Sequence, residues 1–376
     1  MKIAVNTRLL LKDNLEGIGW FTAETLKRIT RDHPEHSFLF IFDRPFDPAF
    51  IFGENVQGIV VSPPARHPLL WSFWFEISLP RAIKAHKAEL FFSPDGYMPL
   101  KLKIPSLIAL HDINFHHRPG DLPLSSRIYY RRYFPLFAQK SDRIVTVSEF
   151  SKSDIVKSYG IITDKIDVVF NGANDIYSPL PAAMIEKIRQ SLTGGIPYFV
   201  FAGSMHPRKN ISRLFLAFDQ FRKDLPSPFK LVIVGEKMFM TREIENTFRK
   251  MTFSKDVIFC GRLAPERLHH ILGASSGLCY VTLYEGFGIP VLEAMRCDIP
   301  ILASNATSLP EVAGDAAIYA DPESVSSIVK GMKSLALDKE LRKRLIVEGR
   351  KRRLAFSWDQ TADKLWSSFE KIIPKD

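Results

Sequence analysis

Residues 282–295 read TLYEGFGIPVLEAM and follow the apolar run Leu278–Val281. An apolar run, a turn with two glycines and a helical pattern with Pro290 near its start are typical of a β-strand that leads into an α-helix. Such a turn presents backbone N–H groups at the positive end of the helix, where a phosphate binds readily. The segment therefore predicts a phosphate site between two carboxylates, Glu285 and Glu293, which would accept hydrogen bonds from sugar hydroxyls. From their spacing alone, Glu285 could equally be an ordinary loop acid and Glu293 an exposed helix acid, without any role in binding.

Short β-branched runs alternate with helical patterns along the chain, as in α/β proteins with parallel sheets. In the first half we predict strands near Ile3–Asn6, Phe38–Phe42, Gly58–Val61, Leu90–Phe92, Ser106–Leu110, Ile144–Val147 and Val168–Phe170. In the second half we predict strands near Tyr198–Ala202, Leu231–Val234, Val257–Cys260, Leu278–Val281, Ile299–Ala303 and Ala317–Tyr319. The sequence therefore predicts the α/β class, with two Rossmann-like doubly wound domains.

Turn-forming residues lie between the two series of strands and place the domain boundary near Asn174. The predicted domains are residues 1–173 and 174–355, followed by a C-terminal segment, 356–376. We predict a helix in that segment, because Ser357 and the glutamine three residues later have capping-box form. Apolar residues then follow at helical spacing.

The chain has 376 residues, of which 46% are hydrophobic and 24% charged. These values exclude a disordered or fibrous protein, and the length favours two domains. A formal charge of +10 suits anionic partners, which include nucleotides, phosphorylated lipids, anionic membranes and nucleic acid. Three cysteines without a C-x-x-C pair fit a reducing cytoplasm and predict neither a disulfide framework nor a structural zinc site. Because no uncharged apolar run of about 18 residues occurs, we expect no membrane span.

A second phosphate site is predicted where the strand Tyr198–Ala202 ends at Gly203. Arg208 and Lys209 follow the turn and precede a helical pattern that starts at Ile211. Ligands of open α/β sheets bind at the carboxyl ends of strands, and an arginine with a lysine suits a diphosphate. Adjacent cations at a helix start are more often surface residues, and they oppose the helix dipole. An anion between them and the helix would remove that conflict.

The first half of the chain has weaker candidates. Gly17 and Gly19 form a Gly-x-Gly pattern without the third glycine of a dinucleotide site, and the pattern also fits a flexible turn. His111 closes a predicted strand and could position a sugar hydroxyl or transfer a proton, although a single histidine there is more often a packed residue. His116 and His117 lack a third ligand, so no metal site is predicted from them.

Several motifs are absent from the sequence. It has no D-x-D pair to hold a divalent ion on a diphosphate, no Walker loop and no G-x-S-x-G elbow. Neutralisation of a leaving diphosphate would then depend on Arg208, Lys209 and helix N-termini. We therefore expect neither a metal nor another cofactor.

The segment Glu285–Met295 resembles the E-x7-E signature of the retaining glycosyltransferases of family 4, which have the GT-B fold. Other segments agree with that family in the same order and together span nearly the whole chain: Gly17–Gly19, Leu110–Asp112, Val145–Ser151, Pro207–Asn210, Ser308–Val312 and Phe356–Asp359. The resemblance implies two Rossmann-like domains that face each other across a cleft. The first would be the acceptor domain and the second the donor domain, with a C-terminal helix that packs back on the first.

The resemblance also implies roles for individual residues. Glu285 would bind the hydroxyls of the donor sugar, and Glu293 would hold the ribose. Arg208 and Lys209 would bind the diphosphate and stabilise it as it leaves, while His111 would touch the transferred sugar. The other donor-binding residues that the resemblance implies are the turn residues Gly286, Phe287, Gly288 and Ile289, the strand-end Gly203, and Gly17 and Gly19, which would form a loop closing over the donor.

By this resemblance we expect transfer of a hexose, of mannose or glucose type, from GDP-mannose or a UDP-hexose, with retention of configuration and without a metal. The acceptor would be a saccharide or a lipid-linked acceptor in cell-surface glycan synthesis. An epimerase or phosphorylase on the same scaffold would share the phosphate site. A nucleic-acid binder would explain the charge but would leave Glu285 and Glu293 without a role.

We expect a cytoplasmic location, with peripheral contact on the inner face of the membrane as an open alternative. Two segments bear on that contact. Residues 68–77 are rich in aromatic side chains, which fit a packed helix better than a membrane anchor. The basic stretch 127–143 fits anionic lipid and a solvated helix face equally well.

Overall fold

The computed structural model of the chain describes residues 1–12, 15–65, 67–236 and 241–373. The chain divides into two compact units. Unit 1 consists of Met1–Gly172 together with Ser357–Asp376, and unit 2 consists of Ala173–Phe356. Each unit has its own parallel β-sheet.

Unit 1 is built on a seven-stranded sheet in the order β3-β2-β1-β4-β5-β6-β7, with every pair of neighbours parallel. Its central strands are buried, as expected for a parallel sheet covered on both faces, whereas the edge strand Val56–Val60 is partly exposed. The strands are β1 (Lys2–Asn6), β2 (Ser37–Phe42), β3 (Val56–Val60), β4 (Leu90–Ser93), β5 (Ser106–Ala109), β6 (Arg143–Thr146) and β7 (Ile166–Val168).

Helices connect these strands in unit 1. They are α1 (Gly17–Asp32), α2 (Pro68–Phe73), α3 (Leu79–Ala85), α4 (Asn114–His117), α5 (Leu124–Lys140) and α6 (Glu149–Tyr159). A π-helical turn, Trp74–Ser78, joins α2 to α3. Trp74 and Phe75 in that turn are fully buried, so these two aromatic side chains belong to the core, as expected for a packed helix. Phe73 is 46% exposed.

Unit 2 has a six-stranded parallel sheet in the order β10-β9-β8-β11-β12-β13. Its strands are β8 (Tyr198–Ala202), β9 (Lys230–Val234), β10 (Val257–Gly261), β11 (Gly277–Tyr280), β12 (Ile301–Ser304) and β13 (Ala317–Ala320). Its helices are α7 (Ala182–Thr193), α8 (Ile211–Asp224), α9 (Arg242–Arg249), α10 (Pro265–Gly273), α11 (Ile289–Arg296), α12 (Leu309–Ala313), α13 (Val325–Leu337) and α14 (Lys339–Arg352).

The last helix, α15 (Trp358–Glu370), belongs to unit 1. The Ser357 hydroxyl accepts a hydrogen bond from the backbone N–H of Gln360 at 3.1 Å, so the predicted N-cap is confirmed. Trp366 stacks on His33, the C-cap residue of α1, with ring centroids 3.6 Å apart, and Phe369 packs against Phe92 of β4 at 5.2 Å. These contacts make α15 part of the core on one face of the sheet.

All thirteen predicted strands are present, and their ends differ from the predictions by up to two residues. The largest differences include β7, which lies at Ile166–Val168 rather than Val168–Phe170. Its register explains the shift, because Ile144–Thr146 of β6 pair with Ile166–Val168 and no further. No helix within the described ranges is long and apolar enough to cross a bilayer.

Candidate functional site

The candidate site lies in unit 2, where the winding of the sheet changes direction between β8 and β11. Ligands of open α/β sheets bind outside the carboxyl ends of two such strands. The loops that follow these strands are joined there by two hydrogen bonds. Leu283 N donates to Arg208 O at 2.8 Å, and Asn210 Nδ2 donates to Val281 O at 2.8 Å. The two phosphate sites predicted from sequence are therefore neighbours.

Glu285 lies between the two cations of the other loop. Its Oε1 is 2.7 Å from Lys209 Nζ and 3.0 Å from Arg208 Nη1, and its side chain is 7% exposed. Burial alone would raise the pKa of Glu285, but the two cations outweigh burial and lower that pKa below its usual value. Glu285 is therefore an ionised, buried carboxylate, which excludes the alternative of an exposed loop acid.

Lys209 is held by a second group. Its ammonium donates to the phenolic oxygen of Tyr280 at 2.7 Å, and the lysine is 7% exposed. Burial raises the pKa of Tyr280, so the phenol stays neutral and accepts this hydrogen bond. The lysine is thus not a surface residue. Sequence reasoning missed Tyr280, whose only signal was its position as the last residue of β11.

The predicted conflict between the cations and the dipole of α8 is resolved within the chain. Arg208 and Lys209 lie in a 3₁₀ turn, Pro207–Lys209, and the helix begins only after Asn210, which has a positive φ of 61°. The carboxylate of Glu285 supplies the anion that the cations require. Asn210 itself donates to Pro322 O at 2.7 Å, which ties the turn to a third loop.

The turn from Glu285 into α11 rests on a neighbouring loop. The hydroxyl of Ser308 donates to Glu285 O at 2.9 Å and to Phe287 O at 3.1 Å, and Glu285 N donates to Thr307 Oγ1 at 3.2 Å. Gly288 caps the helix with φ +98°, and a Cβ there would lie 2.5 Å from Leu309. Only glycine fits that position. The sequence showed Ser308 as part of the resemblance but indicated no role for it.

The other predicted turn residues lie at the start of α11. Gly286 precedes Phe287, whose ring is 3% exposed and packs against Phe356 at 5.6 Å. The Phe287 side chain therefore belongs to the core, and only its backbone could reach a ligand. Ile289 is the first residue of α11.

Gly203 directly follows β8 with φ +147° and donates its N–H to Val234 O at 2.8 Å. The next loop approaches it so closely that a Cβ on Gly235 would lie 1.9 Å from Gly203 O. Position 235 therefore requires glycine, because any side chain there would collide with the backbone of the neighbouring loop. Sequence reasoning missed it, although a glycine directly after a strand was visible.

Glu293 lies one turn into α11 and is paired with Tyr177. Burial raises the pKa of Glu293 to about 7, and a hydrogen bond from the Tyr177 hydroxyl opposes that rise. The negative charges of Glu285 and Glu293 both favour the neutral phenol of Tyr280 and so add to the rise that burial causes in its pKa. Tyr177 was not predicted, because it lies 116 residues before its partner in sequence.

Helix α11 is anchored at its other end by Arg353. The guanidinium donates to Met295 O at 3.1 Å and to Arg296 O at 2.9 Å, and it pairs with Asp298 at 3.2 Å. Cations stabilise the last carbonyls of a helix. Part of the basic run near residue 350 thus positions the helix that carries Glu293.

In unit 1, His111 is largely buried at the end of β5. Its Nε2 donates to Pro94 O at 2.9 Å, and its ring meets Phe21 edge-on at 4.8 Å. Burial lowers its pKa, so the imidazole is neutral, with Nε2 as donor and Nδ1 as acceptor. The expectation that Gly17 and Gly19 form a loop is wrong. Both lie in the first turn of α1, because the helix begins at Gly17.

Across the described ranges, no group of three or more His, Cys, Asp or Glu side chains is arranged to hold a metal ion.

Of the residues predicted from sequence, the structure brings together Glu285, Arg208, Lys209 and the turn before α11, with Glu293 on that helix. Gly203 lies on the adjoining loop. His111 belongs to unit 1.

Comparisons with known proteins match both units. Residues 16–175 match the family described as Glycosyltransferase Family 4, and residues 184–352 match Glycosyl transferases group 1. An O-antigen chain mannosyltransferase B from Escherichia coli is 27% identical over 99% of this chain and 100% of its own length.

Two solved structures show the same fold. A sucrose-phosphate synthase from Thermosynechococcus elongatus has a TM-score of 0.80 at 16% identity, covering 99% of this chain and 98% of that one. The Anabaena protein HepE in complex with UDP-glucose has a TM-score of 0.74 at 16% identity, covering 99% and 100%. The chain is a GT-B protein that belongs to the group 1 glycosyltransferases, family 4.

Proposed function

We propose that the protein is a retaining hexosyltransferase that moves mannose from GDP-mannose to a saccharide or lipid-linked acceptor in cell-surface glycan synthesis. The observation that carries the proposal is the buried carboxylate of Glu285, paired with Arg208 and Lys209 beside a glycine turn at a helix start. Mannose is favoured by the O-antigen mannosyltransferase that aligns with nearly the whole chain. The relative solved with UDP-glucose keeps a UDP-hexose as the second candidate donor.

The charges of the site support a diphosphate ligand. Arg208 and Lys209 carry two positive charges against the single negative charge of Glu285. A diphosphate that binds at this turn competes with Glu285 for both cations, and backbone N–H groups at the start of α11 add to its attraction. Glu285 is then able to accept hydrogen bonds from hydroxyls of the sugar. Glu293 would accept hydrogen bonds from the ribose.

In the proposed reaction the bond between the sugar's C1 and the diphosphate oxygen breaks, and a bond from the acceptor oxygen to C1 forms on the same face. The departing diphosphate takes the proton of the acceptor hydroxyl. Negative charge grows on the diphosphate in the transition state, where Arg208 and Lys209 stabilise it without having to reorganise. These two cations are the reason that we propose a reaction without a metal or another cofactor.

A screen of nucleotide sugars tests the proposal. A ligand that binds only the folded protein raises its melting temperature, and we expect GDP-mannose to do so more than UDP-glucose. Incubation with GDP-mannose and a saccharide acceptor should then release GDP and form an α-mannoside. Conversion of the donor sugar into its epimer, without release of nucleoside diphosphate, would instead identify an epimerase.

We also propose a cytoplasmic location with peripheral contact at the inner face of the membrane. A lipid-linked acceptor would be reached there, and the formal charge of +10 favours an anionic surface.

A further inference from the structure

Tyr280 is a buried polar residue of the candidate site to which the proposed reaction gives no part. It is the last residue of β11 and is 1% exposed. Its strand pairs with β8 on one side and β12 on the other, which holds its backbone in the middle of the sheet. The ring stacks on Phe201 of β8 with centroids 5.9 Å apart, and a Cβ built on Gly288 would lie 3.7 Å from its Cε1. The phenol is therefore fixed against the turn that leads into α11.

The hydroxyl of Tyr280 bonds to both partners of the central ion pair. It accepts a hydrogen bond from Lys209 Nζ at 2.7 Å, and it donates its own proton to the carboxylate of Glu285. The same ammonium lies 2.7 Å from Glu285 Oε1. A phenol can donate one hydrogen bond and accept another, so it can serve an anion and a cation at once. The three groups form a closed set in which each bonds to the other two.

Tyr280 keeps its proton in this position. Burial raises the pKa of the phenol, and the negative charges of Glu285 and Glu293 raise it further, whereas the positive charge of Arg208 opposes the rise. The phenol is therefore neutral at physiological pH. Its O–H remains a donor to the carboxylate of Glu285.

Glu285 needs such a donor once the proposed donor substrate binds. A diphosphate that draws Lys209 towards itself removes one cation from a carboxylate that is 7% exposed. A buried carboxylate that loses its partners takes up a proton or moves, because a buried charge without compensation is costly. A hydroxyl that stays in place on the sheet opposes both outcomes.

We propose that Tyr280 is a positioning residue for the transfer reaction. Its hydroxyl sets the spacing of Lys209 and Glu285 in the free protein, and it keeps the Glu285 carboxylate ionised and oriented when the diphosphate takes the lysine. Tyr280 acts through that carboxylate and contacts neither the diphosphate nor the sugar. The proposal deepens the proposed function and rests on it for the role of Glu285, but its first test needs no donor.

The first test follows Glu285 in the full chain without ligand. Glutamate labelled with ¹³C at the carboxyl carbon is titrated by NMR from neutral to acidic pH, and the Glu285 signal is the one that Glu285→Gln removes. In Tyr280→Phe the signal should begin to titrate at a higher pH than in the natural chain, because the carboxylate has lost a donor. The phenol of 3-fluorotyrosine is more acidic and is a stronger donor, so this amino acid at position 280 should move the titration to lower pH.

Kinetic measurements with GDP-mannose are the second test. Tyr280→Phe should lower kcat about 10- to 100-fold, since a hydrogen bond to a charged group is lost. The affinity for GDP should change by less than about threefold, because the phenol touches no part of it. The phenylalanine ring retains the stacking on Phe201, and melting temperature checks the fold of each variant.

The matched control is Tyr198→Phe. Tyr198 is fully buried on β8, and its hydroxyl donates to Ile271 O at 2.6 Å, so this variant also loses one buried hydrogen bond in unit 2. It should lower the melting temperature but leave kcat and the Glu285 titration unchanged.

Three outcomes would overturn the role of Tyr280. They are a Glu285 titration that neither change at position 280 moves, equal losses of kcat in the two phenylalanine variants, and a loss of GDP affinity in Tyr280→Phe that parallels its loss of kcat. If the natural chain binds neither GDP nor UDP, the donor proposal fails, and the ligand-free titration still decides the role of Tyr280.

Discussion

Lys209 Nζ lies 2.7 Å from Glu285 Oε1, and the two residues come from loops that follow neighbouring strands, β8 and β11. Their pairing means that a ligand which takes the cation also frees the carboxylate. In the proposed function, this one contact would couple recognition of the diphosphate to recognition of the sugar.

We expect Glu285→Gln to abolish nearly all transfer while leaving the affinity for free GDP unchanged or higher. The reason is that the carboxylate is assigned to the sugar and competes with the diphosphate for Arg208 and Lys209. Initial rates and calorimetric titration with GDP measure the two effects. A loss of GDP affinity that parallels the loss of turnover would refute the assignment.

The affinity for GDP should depend on the protonation of Glu293. Its pKa of about 7 means that the carboxyl is increasingly protonated below that pH, and the neutral carboxyl accepts weaker ribose hydrogen bonds than the carboxylate. Binding should therefore weaken as the pH falls from 7 towards 5, by up to about tenfold per pH unit. Titrations at pH 5.5, 7 and 8.5 measure this, and Glu293→Gln should show a flat profile.

Tyr177→Phe should shift the pH profile of GDP binding. Removal of its hydroxyl takes away the hydrogen bond that favours the ionised Glu293, so the pKa should rise and the profile should move to higher pH. At pH 7 we expect GDP affinity to fall by about 0.5–1.5 kcal/mol. A Tyr177→Phe profile identical to that of the natural chain would remove Tyr177 from the site.

Activity should survive EDTA. Arg208 and Lys209 already place two positive charges where the diphosphate is proposed to bind. The measurement is turnover before and after chelation, followed by addition of Mg²⁺ or Mn²⁺. If turnover disappears and either ion restores it, the role given to the two cations is wrong.

His111→Ala should leave donor affinity nearly unchanged and reduce kcat. By resemblance its ring touches the transferred sugar, and such a contact matters most in the transition state. Because His111 packs on Phe21, His111→Asn is the conservative comparison and should keep the fold. Full activity in both variants would return His111 to the role of a packed residue at a strand end.

Trp366→Ala should destabilise unit 1 by about 3–5 kcal/mol, the usual cost of removing a buried aromatic side chain. Its ring is 7% exposed and stacks on His33. Urea unfolding followed by circular dichroism gives the change. Leu354→Ala, at a side chain 75% exposed, is the control and should change stability by less than about 0.5 kcal/mol. A loss below about 1 kcal/mol for Trp366→Ala would show that α15 adds little to the core.

The amino-acid sequence alone determined the class of the fold, the thirteen strands and the strand-turn-helix at residues 282–295. These features depend on local patterns, since buried parallel strands are short apolar runs and a helix start has its own residue preferences. The order of motifs was also enough to indicate the family. The capped C-terminal helix was predictable for the same reason.

Only the tertiary structure decided which side chains meet. Glu285 joins Arg208 and Lys209 because the sheet order places β11 beside β8, and sheet order is not written in any local pattern. Tyr177 reaches Glu293 from a distant part of the chain, and burial sets the pKa of that acid. The helix that begins at Gly17 replaced the expected loop. Contacts between residues far apart in sequence depend on packing, which the periodicity of a single segment does not contain.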